Sequence, residues 1–404
     1  MRQQVLDFLK VGVAAADPRK AVDAAMAQVM ADHPAGAWHI IALGKAAGAM
    51  TEAALAHLPD AQALVITNRG NDAPVAGATV LAAGHPTPDA AGLSAGARVA
   101  GLLASVSPQD RVLALISGGG SAMLPAPLAG LGLDDLQQVN AALLASGADI
   151  TQTNLVRQAL DQLKGGGWLQ LSRAPVTALI LSDVPGDDLR VVASGPTVAP
   201  IGTVAQAAQV ARDLGILDRL PDAARQALAR DAATPPFVAA RNLLVGSNRQ
   251  SLDAMIAAGA RDGGLSLAGD VDDCARALVR AVQDAPPGQA LVFGGETTVR
   301  LTGNGMGGRN QELALRFARH AQDLGGDWCF AAMGTDGRDG PGEAAGGLVG
   351  PHTLTRLRDQ GGDLADILHR NDATPALQSV DGLIMTGPSG TNVADLAVFL
   401  RSPA

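Results

Sequence analysis

The chain has 404 residues, of which 47% are hydrophobic and 17% are charged. This composition excludes a disordered chain, which would carry few apolar residues and many like charges, and the length favours two or three domains. A net charge of −9 and an aromatic content of 2%, with no tyrosine, argue against nucleic acid as a partner. An anionic ligand must therefore be bound locally, by placed lysine, arginine and backbone N–H groups.

Membrane insertion and export are not expected from the sequence. The apolar runs, such as 112–116, are too short for a spanning helix. The N-terminal segment is interrupted by Asp7 and Lys10, which predicts an amphipathic helix and not a signal peptide. Cys274 and Cys329 give neither a disulfide framework nor zinc spacing. We therefore expect a cytoplasmic protein with two reduced thiols.

In the first half of the chain, apolar strand-like runs alternate with alanine-rich helical segments. The predicted strands are 38–43, 63–67, 111–116 and 176–181. The predicted helices are 46–58, 90–103 and a long tract 133–163 that ends at three glycines, 165–167. This alternation predicts an α/β fold with a parallel sheet covered by helices on both faces. Ligands of such sheets bind beyond the carboxyl ends of the strands.

The composition changes after residue 200, where a helical stretch closes with Thr234-Pro235-Pro236. We therefore predict a Rossmann-like N-terminal domain over 1–237 and a smaller mixed α/β domain over 238–404. A second linker at Pro286-Pro287-Gly288 leaves open the domain to which 238–288 belongs. Strands predicted in the second part are 242–245, 265–268, 291–293, 297–301, 329–333 and 382–385.

Two glycine-containing loops directly follow predicted strands. Ser117-Gly118-Gly119-Gly120-Ser121 offers backbone N–H groups and hydroxyls that could cradle a phosphate, and a tight strand-to-helix turn is the alternative. Gly44-Lys45 follows the first strand and precedes a helix. A lysine is unfavourable at a helix N-terminus unless it serves an anionic ligand, so we interpret Lys45 as a functional residue.

Acidic side chains follow two further strands. Asp183, Asp187 and Asp188 come after strand 176–181 and could hold Mg²⁺ or accept a proton from a hydroxyl. A solvated turn is a serious alternative for Asp187 and a weaker one for Asp183. Asp336 lies in a second acidic loop, after strand 329–333. His85 is interpreted as a structural or substrate-contacting residue, since no His/Cys/Glu cluster has zinc spacing.

Residues 303–308 satisfy the pattern G-x-G-x-x-G and precede a predicted helix over 310–320. A nicotinamide-binding or kinase glycine loop must therefore be considered. The preceding strand 297–301 alternates between apolar and polar residues and follows 291–293 so closely that a hairpin is expected there, and not a βαβ unit. Arg309 comes directly after the glycines, where its guanidinium could contact an anion.

Together these loops resemble those of the glycerate 2-kinases related to the MOFRL family. The resemblance runs from about residue 40 to residue 400 and is carried by the segments 42–46, 84–88, 117–122, 164–166, 181–188, 294–299, 307–313, 334–337 and 387–392. It implies ATP-dependent phosphorylation of D-glycerate at its 2-hydroxyl, with Mg²⁺, in a cleft between two α/β domains. Members of this family often carry the label hydroxypyruvate reductase.

The resemblance also implies roles for individual residues. Lys45 and Arg309 match the essential cations of the family, and Asp183 matches an acid in its aspartate-rich loop. Asp183 or Asp336 would be a partner of Mg²⁺, and Asp183, with Asp188 as second choice, would orient or deprotonate the hydroxyl. The candidates for contacts with substrate or nucleotide are Gly44, His85, Ser117, Gly118, Gly119, Gly120, Ser121, Asp188, Glu296, Asn310, Glu312, Thr335, Thr391 and Asn392.

The expected partners are thus the small molecules D-glycerate and ATP, and a homodimer stays open. Two other functions compete with the kinase. The first is an NAD(P)H-dependent hydroxypyruvate reductase, which the glycines at 303–308 favour. The second is a non-catalytic protein that binds small anions or nucleotides.

Overall fold

The structure is a computed structural model that describes residues 1–31, 36–230 and 237–402. The linker proposed at Thr234-Pro235-Pro236 lies outside the described residues. The chain divides into two compact units. We call Pro18–Val245 the central unit, and we call Met1–Asp17 together with Gly246–Ala404 the terminal unit.

The helices and strands alternate along most of the chain. The strands are β1 (Trp38–Leu43), β2 (Gln62–Asn68), β3 (Ala78–Ala83), β4 (Arg111–Ile116), β5 (Val176–Leu181), β6 (Ala240–Gly246), β7 (Arg261–Asp270), β8 (Ala290–Thr298), β9 (Trp328–Gly334), β10 (Gly346–Val349), β11 (Leu383–Ile384) and β12 (Asp395–Arg401). The helices are α1 (Arg2–Ala15), α2 (Pro18–Met30), α3 (Ala47–His57), α4 (Ala90–Ser105), α5 (Gly120–Met123), α6 (Leu133–Ser146), α7 (Ile150–Ala159), α8 (Gly167–Leu171), α9 (Val204–Asp213), α10 (Asp222–Leu228), α11 (Asn248–Ala257), α12 (Val271–Val282), α13 (Arg309–His320), α14 (Thr353–Asp359), α15 (Leu364–His369) and α16 (Ala373–Ser379).

The sheet of the central unit has the strand order β3-β2-β1-β4-β5-β6. Its first five strands pair in parallel, as the continuous apolar runs predicted. Almost every residue of β1, β4 and β5 is buried, which is expected of strands covered on both faces. The strand order is that of the Rossmann fold and reverses between β1 and β4. A crevice for ligands forms at such a point, outside the carboxyl ends of the strands.

Two predictions for the central unit were wrong in detail. The tract 133–163 is not one helix, because Gly147 takes a φ of 74° at the end of α6 and Asp149 caps a new helix, α7. The glycines at 165–167 do not end that helix but begin α8, where Gly166 is the N-cap and Gly167 the first residue. The strand predicted at 242–245 corresponds to β6, which lies beside β5 in the central sheet. Strand β3 was not predicted, since its residues are mostly half-buried and give no clear pattern.

The sheet of the terminal unit is mixed and has the order β11-β10-β9-β12-β8-β7. Only β7 and β8 pair in parallel, whereas β8–β12, β12–β9, β9–β10 and β10–β11 are antiparallel. The expected hairpin between 291–293 and 297–301 was wrong, because β8 runs unbroken through Gly294 and Gly295. These glycines do not form a turn. A Cβ at Gly295 would lie 2.3 Å from the carbonyl oxygen of Leu267 on the neighbouring strand.

The N-terminal helix α1 is amphipathic, as predicted. It buries Val5 and Leu9 in a core with Met255 and Leu396 of the terminal unit. A boundary at residue 237 would group residues 1–17 with the following sheet, whereas the structure groups them with Gly246–Ala404. Hydrophobic patterning reveals that α1 has an apolar face but not which core that face joins. In the described ranges, no helix combines the length and apolar character needed to cross a membrane.

Candidate active site

Two loops meet where the central sheet reverses its strand order. The N–H of Lys45, after β1, donates to the carbonyl oxygen of Gly118, after β4, at 3.0 Å. The N–H of Ala46 donates to Oγ of Ser117 at 3.0 Å. The close approach of the two loops requires glycine at position 44, because φ is +115° there and a Cβ would lie 2.3 Å from the carbonyl oxygen of Ser117. The structure therefore brings Lys45 next to the glycine loop.

The glycine loop, residues 117–121, presents a row of backbone donors. Within the described residues, the N–H groups of Gly118, Gly119 and Gly120 donate to no other group. Gly119 takes a φ of +83° and Gly120 begins α5. Successive N–H groups around a left-handed residue form a concave site for an anion. This geometry supports the interpretation as a phosphate cradle, which stays a prediction.

A cavity of about 270 Å³ lies beside this loop within the central unit. Three predicted residues line it, His85, Gly119 and Ser121, together with Arg157 and Lys164, which the sequence analysis did not assign a role. Oγ of Ser121 lies 2.5 Å from Oγ of Ser194, a buried residue that the sequence analysis also missed. Lys164 directly precedes the glycines at 165–167 and lies in the segment 164–166, which helps to carry the family resemblance.

The aspartates after β5 differ in what surrounds them. Asp183 is half-buried at the end of the strand. Asp188 accepts from Arg190 at both carboxylate oxygens, with Nε at 2.9 Å from Oδ1 and Nη2 at 2.7 Å from Oδ2. The Arg190 side chain lowers the pKa of Asp188. A carboxylate held in this way is a poor base, which weighs against Asp188 for accepting a proton.

In the terminal unit, Arg309 is held by two carboxylates. It is the first residue of α13, and it donates from Nε to Asp395 Oδ2 at 2.6 Å, from Nη2 to Asp395 Oδ1 at 3.0 Å, and from Nη1 to Glu296. The sequence analysis did not single out Asp395. It is the first residue of β12, opposite Gly295 and Gly334.

The burial of this ion pair changes the pKa values of both partners. Burial raises the pKa of Asp395 to about 6, although Arg309 acts to lower it. Burial also opposes the charge of Arg309, but the neighbouring Asp395 and Glu296 raise the pKa of the guanidinium above its ordinary value. Arg309 therefore stays charged and has a fixed orientation.

Several candidate residues at the start of α13 contact the protein itself. Asp339 accepts from the N–H groups of Asn310 at 3.1 Å and Gln311 at 2.8 Å, and so caps the helix. Glu312 is buried and accepts from Arg316 at 2.8 Å and from Asn371 at 2.7 Å. The structure thus gives Asn310 and Glu312 internal partners, and their contact with a ligand stays a prediction.

The candidates from the loops after β9 and before β12 also have backbone partners. Thr335 donates from Oγ1 to the carbonyl oxygen of Ala394 at 2.7 Å, and Thr391 donates to that of Ala16 at 2.6 Å. Oδ1 of Asp336 accepts from the N–H of Arg338 at 3.0 Å. Asp336 and Asn392 are half-buried.

The glycines at 303–308 do not form a cradle. The N–H of Gly305 donates to the carbonyl oxygen of Arg370 at 2.8 Å, and the N–H of Gly303 donates to Oδ1 of Asn371 at 2.9 Å. The N–H of Met306 donates to Oδ1 of Asp372 at 2.9 Å. The chain itself occupies the place that a pyrophosphate would take in a dinucleotide-binding loop.

No group of three or more His, Cys, Asp or Glu side chains in the described part of the chain is arranged to hold a metal ion. Mg²⁺ is usually bound by one or two carboxylates together with the phosphates of a substrate. Single carboxylates at Asp183 and Asp336 fit that mode, and their role stays a prediction.

The strand order of the central sheet, with a glycine loop at its reversal point, defines an α/β protein with a Rossmann-like unit. Residues 4–229 match a domain of unknown function, DUF4147, and residues 289–395 match the MOFRL family. The chain belongs to the family of proteins that join these two domains. The family resemblance seen in the sequence is confirmed.

Relatives of the chain carry two kinds of name. The chain is 35% identical to the D-glycerate 2-kinase of Thermotoga maritima, with 99% of this chain and 98% of the relative covered. It is 38% identical to a putative hydroxypyruvate reductase of Agrobacterium vitis, with 99% and 94% covered. Its fold is similar to the crystal structure of glycerate kinase from Thermotoga maritima, with a TM-score of 0.85 and 34% identity over 98% of each chain.

Proposed function

We propose that this chain is an ATP-dependent kinase that transfers a phosphoryl group to the 2-hydroxyl of D-glycerate and forms 2-phosphoglycerate. The observation that carries the proposal is the glycine loop at the sheet reversal point, with three adjacent N–H donors next to Lys45. The full-length relatives named glycerate 2-kinase support it. The proposal includes a cytoplasmic location, which the two unpaired, buried cysteines support.

Phosphoryl transfer depends mainly on positioning and on stabilising charge. In the proposed mechanism, the N–H groups of Gly118, Gly119 and Gly120 hold phosphate oxygens, and the ammonium group of Lys45 balances their charge. Asp183, which matches an acid in the aspartate-rich loop of the family, orients the 2-hydroxyl and accepts its proton. The pairing of Asp188 with Arg190 weighs against Asp188 in that role.

In the terminal unit, Asp395 and Glu296 hold the guanidinium of Arg309 in one orientation. We assign Arg309 to the stabilisation of anionic groups, with Asp395 as its positioning residue. Mg²⁺, when bound, would neutralise charge on the ATP phosphates, and Asp183 of the central unit or Asp336 of the terminal unit is the carboxylate that would hold it.

Phosphorus NMR of the product from D-glycerate, ATP and Mg²⁺ tests both the reaction and its position. Without proton decoupling, the phosphorus of 2-phosphoglycerate couples to a single methine proton and gives a doublet. The phosphorus of 3-phosphoglycerate couples to a methylene group and gives a triplet. We expect the doublet together with ADP. A triplet would move the transfer to the 3-hydroxyl, and the absence of any new phosphate ester would overturn the proposal.

The reductase is the second candidate, because relatives carry that name and residues 303–308 match the glycine pattern. The internal hydrogen bonds of Gly303, Gly305 and Met306 weigh against it. Incubation with hydroxypyruvate and NADH in the absence of ATP separates the two, and oxidation of NADH would refute the kinase. Calorimetric binding of ATP and D-glycerate without formation of ADP would instead indicate a binding protein.

A further inference from the structure

The cavity beside the glycine loop is lined by both charged and apolar side chains. The charged residues are Arg157, Asp161 and Lys164, and the apolar residues include Leu136, Val139 and Leu160. Its volume of about 270 Å³ is slightly below that of ordinary ligand pockets, about 300–1,000 Å³. A three-carbon acid fits such a space.

The carboxylate of Asp161, which lines the cavity, already has partners within the protein. Oδ2 of Asp161 lies 2.5 Å from Nζ of Lys164. The same carboxylate accepts from the N–H groups of Ala126 and Leu163, each at 2.9 Å. Asp161 and Lys164 therefore neutralise each other and are both buried.

Arg157 is left with a positive charge that no carboxylate balances. Its Nε donates to Oδ1 of Asn140 at 2.7 Å, and the described residues provide no carboxylate within ion-pair distance and no acceptor for its Nη groups. Asn140 therefore orients the guanidinium without neutralising it.

A partly buried cation without a counterion is costly, and burial lowers the pKa of Arg157 accordingly. An anion in the cavity would offset this cost. The two Nη groups of a guanidinium match the two oxygens of a carboxylate, with which they form paired hydrogen bonds.

We propose that this cavity binds a three-carbon 2-hydroxy acid, with its carboxylate on Arg157. The inference rests on the proposed function, for which it supplies the acid-binding subsite. Gly119 and Ser121 line the same cavity, so an acid anchored at Arg157 extends its hydroxyl groups towards the glycine loop. The apolar residues of the lining disfavour acids that carry a second charged group.

The test combines kinetics and calorimetry on the full chain, with Arg157→Gln and Asn140→Asp as the variants. Arg157→Gln removes the charge. Asn140→Asp keeps the guanidinium and the side-chain shape but supplies a carboxylate that competes with the ligand. Arg212→Gln, at an exposed position of α9 in the same unit, controls for the loss of one positive charge.

We expect each cavity variant to raise the KM for D-glycerate, and to weaken its calorimetric binding without ATP, by on the order of 100-fold. The KM for ATP should change by less than about twofold, and the control should behave as wild type. Wild type should bind D-glycerate more tightly than its neutral amide, and Arg157→Gln should abolish that preference. A rise in the KM for ATP alone would overturn the proposal, because the cavity would then serve phosphate.

The subsite and the proposed function fail in different ways. If wild type phosphorylates D-glycerate and both cavity variants bind it normally, the subsite is wrong and the kinase stands. If wild type binds D-glycerate through Arg157 but forms no phosphate ester, the subsite stands and the kinase is wrong. Arg157→Lys, which keeps the charge but not the paired donors, should retain part of the affinity that Arg157→Gln loses. Full loss in a folded Arg157→Lys variant would contradict recognition of the carboxylate by charge.

Discussion

The protonation of Asp395 should control both the stability and the acidic limit of the activity. Burial raises the pKa of Asp395 from 3.8 to about 6 in the folded protein. The difference, about 2 pKa units, corresponds to about 3 kcal/mol. Because the folded state holds this proton more tightly than the unfolded chain, the contribution to stability is fully present below pH 3.8. It is lost as the pH rises through about 6.

The variant Asp395→Asn isolates this contribution, since it cannot titrate. We expect the free energy of unfolding of the wild type, relative to Asp395→Asn, to fall by about 2 kcal/mol between pH 4 and pH 7, because at pH 4 part of the full contribution is already lost. Urea denaturation at constant ionic strength measures both proteins. Any fixed cost of the substitution cancels, because only the change with pH is compared. A difference that is constant over this range, or that grows with pH, would refute the reasoning.

The same titration should appear in the kinetics. The ionised fraction of Asp395 falls from about nine-tenths at pH 7 to about one-tenth at pH 5. The protonated carboxyl no longer accepts both hydrogen bonds from Arg309, so kcat/KM for D-glycerate should fall about tenfold over this range. In Asp395→Asn, kcat/KM should be low at every pH, and its decrease near pH 6 should be absent.

Three further predictions concern the glycine loop and the start of α13. Lys45→Ala should lower kcat/KM by about 10²–10³-fold, while Lys20→Ala, an exposed lysine of the same unit, should leave the kinetics unchanged. Gly119→Ala places a methyl group 3.1 Å from Nε2 of His85 at a φ of +83°. It should lower the free energy of unfolding in urea by about 1–2 kcal/mol and raise the KM for D-glycerate. Gly130→Ala, at a φ of +95° with nothing within 4 Å, should show only the cost of the backbone strain. Asp339→Ala leaves the N–H groups at the start of α13 without an acceptor and should lower the free energy of unfolding by about 2–4 kcal/mol; an unchanged urea midpoint would contradict the capping role.

The strands of the central sheet could be predicted because buried parallel strands are continuous apolar runs. β1, β4 and β5 lie where the sequence placed them. The juxtaposition of Lys45 with the glycine loop followed from one rule, that the carboxyl ends of parallel strands share an edge. The break between α6 and α7 at 147–149 was harder to predict from the sequence. Gly147 ends α6 through a left-handed conformation and Asp149 caps α7, and neither effect is visible in the hydropathy.

The side-chain partners that complete the candidate site were not predictable. Asp395 contacts Arg309 only because antiparallel pairing places the first residue of β12 opposite Gly295 and Gly334. Arg157 looks like an ordinary helical cation in the sequence, and its lack of a counterion becomes visible only in three dimensions. Pairings between residues distant in sequence leave no local pattern, so a single sequence does not reveal them.

The order in which the chain leaves the ribosome matters for the terminal unit. Helix α1 is made long before β12, yet the two share one core. Residues 18–245 form a continuous segment that can fold as soon as it emerges, since domains generally fold as units during synthesis. The apolar face of α1 therefore stays uncovered until β12 has been made. We expect α1 to need protection during that interval, and loss of β12 should expose α1 to proteases.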